Sequence, residues 1–126
     1  MKIENREGIL LQNSAGLVTV TAAAAGDLVH TLSTNANAFI RKIFYSNNSG
    51  AAITLIFGTR NTAGAFVPLM PTITCVNGQH DWLEESQIPD ILYRVDTTAP
   101  GTEGNIYVLS SAAGVIVRAT IEEMRV

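Results

Sequence analysis

The sequence predicts an all-β fold, an antiparallel β-sandwich, jelly-roll-like, of about eight strands. Several segments alternate apolar and polar residues with period two, as in Val18, Val20 and Ala22 against Thr19 and Thr21. Turn-forming residues punctuate the chain every ~8–12 residues. At its centre, residues 38–58 place Phe39, Ile40, Ile43, Phe44 and Tyr45 before the turn formers Asn47, Asn48, Ser49 and Gly50, and Ile53, Leu55, Ile56 and Phe57 after them. This stretch reads as a central hairpin.

Taken in order, residues 8–12 read as a short apolar strand or arm, with 1–12 a possible N-terminal arm on a single domain spanning 1–126. Residues 13–16 read as a turn, and 17–23 as a half-buried strand stopped before Gly26. The next segment puts Leu28, His30 and Leu32 on one face and Val29 and Thr31 on the other, so His30 is expected in a core or subunit contact with its ring nitrogen satisfied. In the central stretch Arg41 shares a face with Phe39, Ile43 and Tyr45, while Lys42 shares one with Ile40 and Phe44. Both faces are therefore mixed.

Residues 58–64 form a loop, and Pro68 and Pro71 bound an edge segment because proline cannot donate to a ladder. Residues 72–76 alternate, Asn77 and Gly78 make a turn, and 84–88 form one turn of helix before Pro89. Residues 90–95 read as a strand and 96–105 as an exposed loop. Two closing strands, 106–110 and 115–126, follow. Val115, Val117, Ala119 and Ile121 face inward on the last, and the pattern is expected to slip at Glu122 and Glu123, at a bulge or at the end of pairing.

The 126 residues suit one domain that buries roughly two-thirds of its unfolded surface. Only 15% of them are charged, against about 25% for an average soluble chain. Low charge removes the repulsion that keeps proteins apart, so a homo-oligomer is expected. A formal charge of −3 and one adjacent basic pair, Arg41 and Lys42, give no support to nucleic-acid binding. No apolar run reaches the ~18 residues of a membrane span. Acids and amides near the N-terminus speak against a cleaved signal, so synthesis in a cytoplasm is expected. Cys75 is the sole cysteine and reads as a small buried residue.

No nucleotide-binding loop, nucleophile elbow or paired-cysteine zinc pattern occurs, and no cofactor or enzymatic activity is expected. The densest polar cluster holds Gln79, His80, Asp81, Trp82, Glu84 and Glu85. It admits three readings: a loop whose Trp82 plugs one end of the sandwich, a glycan or small-ligand site at His80, Asp81 and Trp82, and a metal site at His80, Asp81 and Glu84. Asn47, Asn48 and Ser49 match a glycosylation acceptor, which without a secretory signal means a turn. Candidate oligomer or partner contacts are Ile9, Leu10 and Leu11 in the arm, with Phe39, Arg41 and Tyr45 in the central stretch.

The cadence of residues 38–126 resembles small β-sandwich decoration and accessory structural proteins of tailed-bacteriophage virions. It runs from IRKIFYSNNSGAAITLIFG through FVPLMP to the closing NIYVLSSAAGVIVRATIEEMRV. The resemblance implies a non-enzymatic protein, a symmetric oligomer with a trimer favoured, that decorates or cements a capsid or similar particle and resides in the virion.

Overall fold

A computed structural model of the chain describes residues 10–32, 36–61, 63–89, 93–94 and 105–125. Among these, ten strands run β1 (Leu10–Thr19), β2 (Asp27–His30), β3 (Ala36–Asn47), β4 (Ile53–Arg60), β5 (Phe66–Pro68), β6 (Ile73–Cys75), β7 (His80–Leu83), β8 (Tyr93–Arg94), β9 (Ile106–Ser110) and β10 (Val115–Arg125). A 3₁₀ turn at Glu85–Gln87 follows β7, where one helical turn is expected. The chain is an all-β, two-sheet antiparallel sandwich. The first sheet has the order β1-β10-β3, with β7 and β8 sharing the far edge of β3. The second has β2-β9-β4, with β5 and β6 sharing the far edge of β4.

First pairs with last, second with next to last, and so inward. That is the strand order of a jelly roll, a long hairpin rolled into two sheets. Eight strand positions are occupied by ten segments because the fifth and sixth positions are each broken in two. Pro68 and Pro71 account for the first break, since neither can donate to a continuous ladder.

The core lies between the sheets. Val115, Val117, Ala119 and Ile121 point into it from β10, and Ile53, Leu55 and Phe57 from β4, all essentially without exposure. Ile106 and Val108 of β9 complete its centre. Burial of each large apolar side chain contributes about 1.5–3 kcal/mol.

Four sequence expectations are corrected by pairing. Strands β3 and β4 do not form a hairpin: they lie in different sheets, and the chain arches between them. Each has an apolar face, and the faces meet across the core rather than the edges meeting in a ladder. Residues 13–16 are not a turn but the middle of β1, which runs unbroken to Thr19. Gly16 is needed there because a Cβ would stand 2.4 Å from the Val29 carbonyl oxygen.

The mixed faces of β3 are resolved by a bulge. Thr120 pairs with Lys42 and Ile121 with Ile40, which leaves Arg41 as an extra residue. Ala36, Ala38 and Ile40 before it, and Ile43, Tyr45 and Asn47 after it, are therefore all buried. A similar shift at Val29 turns that residue into the core and leaves Leu28 outside, while His30 and Leu32 keep the inward side expected of them. Finally, β10 does not slip at Glu122 and Glu123. Its alternation continues, and Glu123 points inward with no exposure. The irregularity lies on the partner strand, where Leu11 is extra between Leu10 and Gln12.

Candidate functional site

The outer face of the first sheet is the most distinctive surface of the molecule. Register aligns one residue from each of four strands in a row across it: Leu17 on β1, Arg118 on β10, Phe44 on β3 and Trp82 on β7. A second row holds Thr19, Ile116, Ser46 and His80. Leu17 is 60% exposed, Trp82 47% and Ile116 42%. Among the described residues, three of the five exposed large apolar ones thus share one face, the other two being Leu28 and Val76. Exposed apolar side chains gathered on one face are less common on a monomer than exposed leucines scattered singly.

The patch is held by its neighbours. The Phe44 and Trp82 rings meet at a centroid separation of 4.7 Å, tilted by 49°. Lys42 Nζ sits 5.1 Å from the centre of the Trp82 ring and 3.6 Å from Glu84 Oε2. Further along, Arg41 Nη2 donates to Glu122 Oε1 at 3.0 Å, and its guanidinium lies 4.6 Å from the centre of the Phe39 ring. Two cations of this face are therefore matched by carboxylates. Arg118, exposed in the middle of the apolar row, has no carboxylate partner among the described residues.

Phe39 and Arg41 also lie on this face. Tyr45 does not. It points into the core, 4% exposed, and borders a groove of about 350 Å³ between the sheet edges with Met70, Ile73, Leu83 and Gln87. Its hydroxyl is held above the usual phenol range by burial first, then by Cys75 and Asp81. Leu10 and Leu11 belong to β1, paired with β10 or bulged beside it, rather than to a free arm. Ile9 lies outside the described residues, as does most of the loop expected over 96–105.

The cluster around Trp82 is extended along an edge strand. Trp82 does not plug the sandwich; it lies on an edge strand facing outward. Because β7 is extended, His80 and Trp82 share the outer side while Asp81 alternates away, its Oδ1 accepting from the Trp82 backbone N–H at 2.8 Å. His80 Nδ1 is hydrogen-bonded to Ser46 Oγ at 2.6 Å. His80, Asp81 and Glu84 do not converge, and among the described residues no group of three His, Cys, Asp or Glu side chains could hold a metal. No helix among them is long and apolar enough to cross a membrane.

Two buried polar positions escaped the sequence reading. Glu123 Oε2 is paired with His30 Nε2 across the two sheets. His30 satisfies a ring nitrogen as expected, but its partner was hidden at the position read as a slip. Asn47 is fully buried and its amide is fully used. Nδ2 donates to the carbonyls of Ala51 at 2.9 Å and Cys75 at 2.7 Å, and Oδ1 accepts from Ser49 N at 3.0 Å and Ser49 Oγ at 2.7 Å. That amide joins the arch to β6, and it is not available as a glycan acceptor.

No family model matches the chain, and no curated protein matches it. Among solved structures, it is similar to a Bacillus protein from work described as "Bacillus endospore appendages form a novel family of disulfide-linked pili", with 14% identity, a TM-score of 0.48, and coverage of 100% of this chain and 97% of that one. It is also similar to the Clostridium thermocellum endo-1,4-β-D-xylanase 10B CBM22-1–GH10 modules complexed with xylohexaose, with 11% identity and a TM-score of 0.45. There the match covers 98% of this chain and 29% of the xylanase chain. Both are distant likenesses of β-rich chains, and neither bears on what this chain does.

Proposed function

We propose that the chain is a non-enzymatic structural module that assembles through the outer face of its first sheet. The observation that supports this reading is the row of Leu17, Arg118, Phe44 and Trp82 with Ile116 beside it, on a chain only 15% charged. Water gains by the removal of such a patch at ~25 cal/mol per Å² of apolar area covered, and little charge must be desolvated to cover it. In its finer form the proposal is a symmetric oligomer, a trimer by the virion resemblance, that coats a capsid or similar particle.

Trp82 is the sole tryptophan, so its emission reports directly on this face. Assembly predicts a red shift on dilution as Trp82 passes from a subunit contact into water. An emission maximum independent of concentration would count against it.

A second reading, a glycan or small-ligand module, is favoured by one observation. Trp82 is exposed with His80, Lys42 and Glu84 beside it, an apolar ring among hydrogen-bonding groups. It predicts a saturable change in the same emission when neutral oligosaccharides are added to the dilute protein. No response across a panel of such sugars would remove it.

A further inference from the structure

We propose that Asn77 is a modification site, where the chain deamidates through a cyclic imide, and that the arch between β3 and β4 keeps the site latent in the folded molecule. The inference is independent of the assembly reading. Of the chain's asparagines, Asn77 alone is followed by glycine. The reaction needs the backbone nitrogen of the next residue to reach the side-chain carbonyl carbon, and a Cβ on that residue hinders the approach. Gly78 has none, and the space where one would stand is open. Both residues are exposed, so water reaches them.

In the reaction, hydroxide removes the proton from Gly78 N, which attacks Asn77 Cγ. An N–Cγ bond forms, the Cγ–Nδ2 bond breaks, and Nδ2 departs as ammonia with a proton returned from water. A further water then opens the ring at either carbonyl and leaves aspartate or isoaspartate. The sum is one water consumed and one ammonia released, with nothing oxidised or reduced.

The fold holds both reacting groups off this path. Gly78 N–H donates to the Asn47 carbonyl at 2.7 Å, so the proton that must leave is engaged. Asn77 Oδ1 accepts from Gly50 N–H at 2.9 Å, which turns the carboxamide toward the arch and away from its own backbone. The turn itself is closed by Gln79 N–H donating to the Val76 carbonyl at 3.1 Å, and Asn47 N–H donates to the Gln79 carbonyl at 2.9 Å. Nucleophile and electrophile are thus restrained by the two ends of one short segment, Asn47 and Gly50. That segment is fastened by Asn47 Nδ2 to the carbonyls of Ala51 and Cys75, and by Ser49 Oγ to Asn47 Oδ1. Lifting it frees both groups together, and such local opening costs less than global unfolding.

The product differs from the starting chain in two ways. A carboxylate in place of the amide adds one negative charge to the formal −3. Isoaspartate also lengthens the backbone by one carbon between positions 77 and 78, which carries Gly78 N–H out of register with Asn47. The site therefore keeps a covalent record of openings at this end of the sandwich.

The test follows deamidation at Asn77 in the whole chain by mass-spectrometric peptide mapping, in mildly alkaline buffer with and without guanidinium chloride. The denatured chain should convert at Asn77 faster than at any other asparagine, and the folded chain at least about tenfold more slowly. Gly78→Ala, compared in denaturant where its fold is immaterial, should lose the fast conversion. Ser49→Ala and Asn47→Ala should each raise the folded-state rate at Asn77. Ile121→Ala, a core change at the far end of β10, should raise it less than an arch variant of equal thermal midpoint. No preference for Asn77 in the denatured chain overturns the site. Equal rates with and without denaturant, or arch variants no faster than the matched core variant, overturn the arch as its guard.

Discussion

Asn47 shows how one buried amide can fix a connection between sheets. Its two donors and its acceptor oxygen are all engaged, so Asn47→Ala leaves the Ala51 and Cys75 carbonyls without that donor, at about 1–3 kcal/mol for each group left unpaired. Asn47→Asp should be worse despite its near-identical shape, because it turns an oxygen toward two carbonyls. Urea denaturation should rank the midpoints wild type, Asn47→Ala, Asn47→Asp, and the reverse order of the two variants would contradict the assignment. His30 and Glu123 invite a cycle. Removing either partner alone should cost about 3–5 kcal/mol, whereas His30→Leu with Glu123→Met together should recover most of the loss, since a packed apolar pair replaces a buried polar pair at little net cost.

Cys75 gives a pH dependence of definite sign. Burial pushes its thiol from 9.0 up to about 11, so the folded chain holds that proton more tightly than the unfolded chain. The stability from this group is complete below pH 9 and falls as pH rises through 11. Cys75→Ala should flatten the alkaline loss measured by thermal melts; an unchanged slope would assign the loss to other groups. Tyr93 and Tyr45, both raised by burial, act in the same direction.

At the level of elements, alternation made most strands legible, and one-residue insertions hid the rest. The segments 106–110 and 115–126 are recovered as β9 and β10 with the expected inward residues. A bulge shifts a period-two pattern by one, so at Arg41 and Val29 the residues on either side no longer share the faces that simple counting assigned. Glu123 failed for the opposite reason. The pattern was intact, but a carboxylate at an inward position looks like a break until its partner His30, from the other sheet, is known. Gly16 is another such case, read as turn chemistry when its role is close approach of β1 to β2. Gly16→Ala should destabilise by about 1–3 kcal/mol through collision with the Val29 carbonyl. A thermal midpoint equal to wild type would show that β1 and β2 can separate freely.

For the whole molecule, strand order lay beyond the sequence because hairpin and arch use the same alternating segments. Residues 38–58 carry two apolar strands and a polar turn either way, and the buried Asn47 amide joins the arch to β6. The candidate surface was half legible. Phe39, Arg41 and Trp82 were singled out, but Leu17, Ile116 and Arg118 belong to strands distant in sequence and become neighbours only through the order β1-β10-β3-β7.

The central claim is that this face is covered by other subunits. Its most direct measure is the solution mass of the wild-type chain by light scattering, across a wide concentration range and at two salt concentrations. The account predicts a defined multiple of 13.5 kDa, maintained or strengthened at high salt because the contact is chiefly apolar. A mass of 13.5 kDa at every concentration and salt would contradict it.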